Sequence, residues 1–226
     1  EGMYVRDDGL KMYLTEKDTG ELYEYTLSTA HDITTATYVQ GKNVRAFTGI
    51  NFPYNVHFKP DGTKCFIAST GSTTPSSRNI AALNLSTAWD VSTATLDKLF
   101  STGSDNIVDV HFKPDGGKFY YINYSGGTIT EFALNNGGTA WDLDDYTATG
   151  ATAAGADTTP GCVEFSSDGT HMYHCGQGAN QNINVHVLST AWDLSTATRQ
   201  TSEDINILSQ TGQYNYGLAF SNNGTN

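Results

Sequence analysis

The sequence predicts an all-β fold, a β-propeller of four-stranded antiparallel blades, with four full repeats and the first strand of a fifth. A repeat of just over fifty residues runs through the 226-residue chain, and each copy shows the pattern of four short strands without any helical period. The second strand of each repeat is apolar on both faces. That pattern is typical of a blade covered on both sides, whereas a sandwich strand with one wet face alternates with polar residues.

A hairpin turn with a recurring glycine defines the repeat. The turn glycines are Gly9, Gly62, Gly116, Gly169 and Gly224, spaced by 53, 54, 53 and 55 residues. Glycine is expected there because this turn position takes a positive φ angle, which other residues reach only at a cost. The predicted blades of this single domain or segment are 1–53, 54–107, 108–160 and 161–215, with a partial repeat at 216–226.

A second shared motif follows the third strand of each repeat. Its copies are LSTAHDITTAT (27–37), LSTAWDVSTAT (85–95), TAWDLDDYTAT (139–149) and LSTAWDLSTAT (188–198). A short, polar fourth strand then closes each repeat.

Two segments resemble known repeat families. PDGGKFYYINYSGGTITEFAL (114–134) resembles the YVTN-type propeller repeat of surface-layer and other extracellular proteins. The TAWDxSTAT element is similar to repeats of phage tail or virion proteins and of bacterial exported proteins. These resemblances imply an extracellular, cell-surface or virion location, in a surface layer, a tail fibre or a filament.

The charge balance bears on the partners. Formal net charge is -12, from 24 acidic and 12 basic residues, and a field of that sign repels phosphate backbones and anionic lipid headgroups. No apolar run reaches the roughly 20 residues that a membrane-spanning helix needs. We therefore expect the chain neither to bind nucleic acid nor to insert into a membrane.

The shared motif supplies the candidate ligand-binding residues. They are Trp89, Asp90, Trp141, Asp142, Trp192, Asp193, and the equivalent His31 and Asp32. In the structural interpretation, each Asp accepts backbone N–H bonds and holds the turn, while the ring packs on a neighbour. In the functional interpretation, the aromatic faces are sugar-stacking platforms, repeated for multivalent binding.

A second set of candidates lies at one equivalent position of the first strands. Tyr4, His57, His111 and Glu164 occupy this position, and first strands of blades line the central channel. Further fixed ligands are missing, so we expect no metal and no cofactor. An ordered divalent ion at His57, His111 or Glu164 would instead favour an enzyme.

The cysteines allow one cross-link. Cys162 and Cys175 flank one hairpin: a two-residue loop at Asp168–Gly169 places them face to face, and a four-residue loop makes them diagonal neighbours. A disulfide between them is therefore a hypothesis, whereas Cys65 is predicted to be a buried, inert thiol.

The functional prediction follows from the repeat and from the lack of a recognisable catalytic arrangement. We expect a non-enzymatic structural or adhesion propeller on an extracellular or virion surface, which binds glycan, protein or sister subunits through its repeated loops and takes part in a larger assembly. The alternative is a propeller enzyme, lactonase-like or lyase-like, with its site at one mouth of the channel. Whether further sequence completes the ring, or the spare strand docks on another copy, stays open.

Overall fold

The computed structural model describes residues 2–72, 78–102, 106–154, 159–177, 182–206 and 217–219. These residues form four antiparallel sheets, each with its strands in chain order, and confirm the predicted β-propeller fold of four-stranded blades. Within the described ranges, helix α1 (Arg45–Thr48) is the single α-helical segment. The predicted fifth first strand is not seen: residues 217–219 form no strand, and the rest of 216–226 lies outside the described residues.

The chain divides into two compact units, which we call the first and second blade pairs. The first contains residues up to Ile107 together with Ala219, and the second is Val108–Leu218. The strands of the first pair are β1 (Met3–Val5), β2 (Lys11–Glu16), β3 (Glu21–Leu27), β4 (Ala36–Asn43), β5 (Ile50–Phe58), β6 (Lys64–Ser72), β7 (Arg78–Leu85) and β8 (Ala94–Ser101).

The second blade pair repeats this order with one addition. Its strands are β9 (Ile107–Phe112), β10 (Lys118–Asn123), β11 (Thr128–Leu134), β12 (Tyr146–Ala154), β13 (Thr159–Phe165), β14 (His171–Gln177), β15 (Asn182–Leu188), β16 (Ala197–Arg199) and β17 (Ile205–Asn206). The extra strand β17 pairs with β15 beyond the end of β16, because the outer edge of the fourth blade is broken by a turn.

The hairpin turns form as the sequence predicts. Gly62 has a φ of 72°, and the carboxylate of the preceding Asp61 accepts hydrogen bonds from the Thr63 amide at 2.9 Å and its hydroxyl at 2.6 Å. The turn of the fourth blade repeats this pattern: Asp168 accepts from Ser166 and from Thr170, and these bonds lower the pKa of Asp168 to about 2. Each turn is therefore held by local polar contacts that need no distant partner.

The cores lie between the blades of a pair. In the first pair, Tyr13 and Leu22 of the first blade and Cys65, Ile67 and Leu83 of the second share one buried apolar cluster. In the third blade, β10 buries Phe119, Tyr120, Tyr121 and Ile122, so both of its faces are covered. This coverage of both faces is the feature that the apolar second strands predict.

Candidate functional site

The aspartates of the shared motif hold a short 3₁₀ turn in every blade. Asp32, Asp90, Asp142 and Asp193 each precede such a turn, and each side chain accepts the backbone N–H of the residue two positions on. For Asp193 the acceptor distance from the Ser195 amide is 3.0 Å, and the Ser195 hydroxyl adds a bond at 2.6 Å. This side-chain cap is the role that the structural interpretation assigns to the carboxylates.

The aromatic residues of the motif take an unusual backbone conformation. His31, Trp89, Trp141 and Trp192 have φ angles between 60° and 71°, and they are the only non-glycine residues with positive φ in the described part of the chain. That region costs a non-glycine residue about 1–2 kcal/mol. A recurring contact offsets this cost, because each ring lies against the turn glycine of its own blade.

The turn glycines are thus required by packing as well as by φ. A Cβ atom on Gly9, Gly62, Gly116 or Gly169 would overlap the ring of the motif residue in the same blade. In three of the blades the amide of the ring residue also donates to the carbonyl of that glycine, for example from Trp192 to Gly169 at 2.9 Å. The third blade differs, since the Tyr146 hydroxyl lies between the Trp141 amide and the Gly116 carbonyl.

Trp141 and Trp192 are 7% and 8% exposed, so little of their surface is open to a ligand. Trp89 has Gly62 against its ring and the Arg6 guanidinium 5.6 Å from the ring centroid. An open pocket of about 350 Å³ lies beside it, lined by Arg6, Asp7, Asp8, Pro60 and Trp89. Ligand binding by the motif residues stays a prediction, whereas their part in blade structure is visible in each repeat.

A polar clasp links the blades of each pair, and sequence reasoning did not anticipate it. In the first pair, Tyr13 donates to the Trp89 carbonyl at 2.8 Å, and Lys11 pairs with Glu24. Glu24 also accepts the backbone N–H of Val91 at 3.3 Å. The first blade thereby holds the shared motif of the second.

The second blade pair has the same clasp. Tyr120 and Lys118 donate to the Trp192 carbonyl at 2.6 and 2.8 Å. Glu131 accepts from Lys118 at 2.8 Å and from the Leu194 amide at 2.8 Å. At the equivalent positions the second blade has Lys64, Phe66 and Ala82, and the fourth has His171, Tyr173 and Val185. The full Lys–Tyr–Glu set thus occurs in the first and third repeats and not in the second and fourth. This alternation is the sequence signal that identifies the clasp.

The four predicted channel positions form two neighbouring pairs, one in each blade pair. The Tyr4 and His57 rings meet edge to face with centroids 5.9 Å apart. In the second blade pair, His111 Nδ1 lies 3.2 Å from Glu164 Oε2. Whether these positions line a central channel stays a prediction, but the second of the two pairs brings together an imidazole and a carboxyl group.

The His111–Glu164 pair has the electrostatic character of an acid–base site. Burial lowers the pKa of His111 to about 3 and raises the pKa of Glu164 to about 8, because low-dielectric surroundings disfavour the charged form of each. At neutral pH the pair as a whole is therefore uncharged. The side chains keep 11% and 25% of their surface exposed, so solvent reaches the pair from one edge.

The surroundings fix the orientation of the imidazole. The His111 ring lies 5.3 Å from the Phe165 ring and 6.3 Å from the Trp192 indole, nearly parallel to the latter at 17°. Trp192 is itself held by the clasp of the third blade. The motif residue, the clasp and the acid–base pair thus form one connected structure.

A second buried polar cluster lies in the fourth blade. His174 and His186 are 0% and 4% exposed, with ring centroids 5.2 Å apart. Burial lowers the pKa of both, to about 3 for His174. Asn184 and Arg199 join this cluster, and Arg199 pairs with Asp204 at 2.6 Å.

The cysteines adopt the face-to-face register of the two alternatives. Cys162 and Cys175 are direct partners across β13 and β14, and both are buried, so a disulfide between them stays a hypothesis. Contact with Cys175 and burial raise the pKa of the Cys162 thiol. Cys65 is fully buried, and burial raises its pKa as well.

Among the described residues, no cluster of three or more His, Cys, Asp or Glu side chains is suited to a metal ion. None of the helices in that part of the chain is long and apolar enough to cross a membrane.

Comparison with known proteins identifies the fold class but no family. No family model matches the chain, so the YVTN-type and TAWDxSTAT resemblances are not supported. No curated protein matches it either. Many solved structures do, at 13–16% identity in the examples below, and at such identities the likeness establishes the fold alone.

Lactonase names occur among these structures. A candidate 6-phosphogluconolactonase from Bacteroides uniformis is 16% identical, with 91% of this chain and 54% of that chain covered and a TM-score of 0.55. The periplasmic gluconolactonase of Pseudomonas aeruginosa is 14% identical, with coverages of 91% and 56% and a TM-score of 0.56.

A functionally unknown protein from Desulfotomaculum acetoxidans is 13% identical, with coverages of 99% and 60% and a TM-score of 0.57. The chain thus spans a little over half the length of the structures it matches.

These names correct the functional prediction. Lactonases are among the structural neighbours, which contradicts the predictions of a structural or adhesion propeller and of a chain that is not an enzyme, and favours the propeller-enzyme alternative. The sequence placed His111 and Glu164 at the same position of two repeats, 53 residues apart, but it did not show that the two side chains are in contact.

Proposed function

We propose that the chain is part of a propeller hydrolase that opens the cyclic ester of a sugar acid, with His111 and Glu164 as its acid–base pair. The observation that carries the proposal is the 3.2 Å contact between His111 Nδ1 and Glu164 Oε2, in surroundings that shift the two pKa values in opposite directions. Strongly shifted, paired groups at a solvent-accessible edge are typical of catalytic sites. The lactonase names among the structural neighbours supply the substrate class.

The chemistry requires one proton acceptor and one proton donor. Water attacks the ester carbonyl carbon, a base removes a proton from that water, the ring C–O bond breaks, and the ring oxygen leaves with a proton. When Glu164 is ionised, His111 Nδ1–H donates to its carboxylate, and His111 Nε2 accepts the proton of the attacking water. The adjacent carboxylate stabilises the resulting imidazolium, which returns the proton to the ring oxygen.

The pH dependence follows from this assignment. The base form of the pair requires Glu164 to be ionised, and its pKa is about 8. Hydrolysis above the spontaneous rate is therefore expected to increase as pH rises from 6.5 to 8.5 and to level off above that range. Glu164→Gln removes the ionisation and is expected to abolish this increase.

The test is a pH-stat assay of the whole chain with gluconolactone and with its 6-phospho ester. We expect His111→Gln and Glu164→Gln each to lower kcat about 100-fold or more, as for loss of a general acid or base. His57→Gln changes the equivalent position of the first blade pair and serves as the matched control, with kcat within about twofold of wild type. Wild-type chain that adds nothing to the spontaneous rate with either substrate, or variants as active as wild type, would overturn the proposal.

We also propose the extracellular location that the resemblance of residues 114–134 to YVTN-type repeats implies. The proposed binding partner is a sugar lactone. An uncharged and a phosphorylated lactone are both retained as substrates, and the two arms of the assay distinguish them.

A further inference from the structure

A buried carboxylate joins the two strands that carry the acid–base pair. Asp109 in β9 is 2% exposed. Its Oδ1 accepts the backbone N–H of Val110, on its own strand, at 2.8 Å. Its Oδ2 accepts the backbone N–H of Val163, on β13 of the next blade, at 2.8 Å.

Comparison with the first blade pair explains why the Val163 amide is bonded to Asp109. In β5 the valine equivalent to Val163 is Val56, and its amide donates to Oδ1 of the preceding residue, Asn55, at 2.9 Å. In β13 the residue before Val163 is Cys162, whose side chain offers no oxygen acceptor. A buried amide needs a partner, and the second oxygen of Asp109 supplies it from the neighbouring blade.

This link lies next to both members of the pair. His111 follows Asp109 by two residues and therefore points to the same side of β9. Glu164 directly follows Val163. A relative shift of the two strands by about 1 Å would lengthen the 3.2 Å contact beyond hydrogen-bonding range.

We propose that Asp109 is a positioning residue, which sets the spacing of His111 and Glu164 by tying β9 to β13. The inference rests on the proposed function for its catalytic consequence, but the geometry that it explains is independent of any substrate. Asparagine cannot replace the carboxylate, because its amide carries one acceptor oxygen and a donor group in place of the second acceptor.

The first experiment uses Asp109→Asn in the full chain, with Asn55→Ala as the matched control in the first blade pair. We follow the His111 ring signals by NMR from pH 6 to 9.5. In wild type these signals should shift as Glu164 ionises near pH 8. In Asp109→Asn that shift should fall by at least half, whereas Asn55→Ala should titrate like wild type.

The kinetic arm uses the same two variants. Asp109→Asn should lower kcat 10- to 100-fold with KM within about twofold, and its pH profile should lose the increase near pH 8. Asn55→Ala should leave both parameters unchanged. A folded Asp109→Asn variant with the wild-type NMR titration overturns the inference, whatever the activity. Absence of hydrolysis in wild type overturns the proposed function and leaves the NMR test of the tie intact.

A double variant separates positioning from simple satisfaction of the Val163 amide. In Cys162→Asn the new side chain offers the Val163 amide an acceptor from its own strand, as Asn55 does for Val56. The Asp109→Asn, Cys162→Asn double variant should therefore fold even if Asp109→Asn alone does not. We expect the double variant to retain the altered titration, because the tie between the blades is still missing. Return of the wild-type titration and kcat would show that Asp109 merely satisfies an amide.

Discussion

The two blade pairs share one scaffold and differ in what lies between their blades. In the first pair, Ile67, Ala81 and Leu83 of the second blade are fully buried apolar residues. The equivalent residues of the fourth blade are His174, Asn184 and His186. Both pairs nevertheless use the same Lys–Tyr–Glu clasp on the motif tryptophan of the next blade. The same clasp thus occurs with either an apolar or a polar set of residues at these positions.

The same contrast holds at the first strands. The first pair places Tyr4 against His57, an aromatic contact, and the second pair places His111 against Glu164, an acid–base contact. The equivalent positions of a repeated fold can therefore hold an aromatic contact in one pair of repeats and an imidazole–carboxyl contact in the other.

The largest effect is expected from breaking a clasp. Glu131 is 2% exposed at its side chain and pairs with Lys118, so Glu131→Ala leaves a partly buried cation and the Leu194 amide without their acceptor. We expect a loss of about 3 kcal/mol in the free energy of unfolding, measured by urea denaturation at pH 7. Glu24→Ala in the first pair should lose a similar amount. Lys64→Ala, which removes the ion pair with Asp97, should lose less than about 1 kcal/mol.

The next largest effect on stability is expected from replacing His174 and His186 by the apolar residues that the second blade has at the equivalent positions. The lowered pKa values of His174 and His186 mean that the folded chain binds fewer protons than the unfolded chain at acid pH. Their contribution to stability is present above pH 6.5 and is lost as pH falls towards 3. Arg199, which also lowers both pKa values, and Asp204 are the charged groups beside them.

Between pH 7 and pH 4, the free energy of unfolding of the His174→Ile, His186→Leu double variant should therefore fall by roughly 2–3 kcal/mol less than that of wild type. Thermal unfolding at several pH values measures this difference. The reverse exchange in the first pair, Ile67→His with Leu83→His, should make that pair labile to acid. Parallel pH curves for wild type and the first variant would contradict the interpretation.

A smaller effect is expected at the turn glycines. Gly62→Ala and Gly169→Ala should each cost about 2 kcal/mol, because the new Cβ meets a tryptophan ring at a positive φ. Gly137→Ala is the control: its φ is 80°, but no atom lies within 4 Å of the added Cβ, so about 1 kcal/mol is expected. Equal costs at all three positions would show that φ alone, and not the ring, requires glycine.

The sequence by itself determined the features that depend on near neighbours. The turn glycines, the aspartate caps of the shared motif and the two-faced second strands all follow from φ preferences, hydrogen bonds over two or three residues and strand periodicity. These are repeated in every blade, so the repeat alone indicated the β-propeller fold.

The tertiary structure alone decided which residues from different repeats meet. The clasp, the contact of His111 with Glu164 and the second bond of Asp109 each join residues more than 50 positions apart. The positive φ of Trp192 likewise depends on its packing against a glycine 23 positions earlier. Such contacts depend on which face of one blade covers the next, and no local pattern encodes that choice. The candidate acid–base pair is accordingly formed by two blades together and by no single repeat.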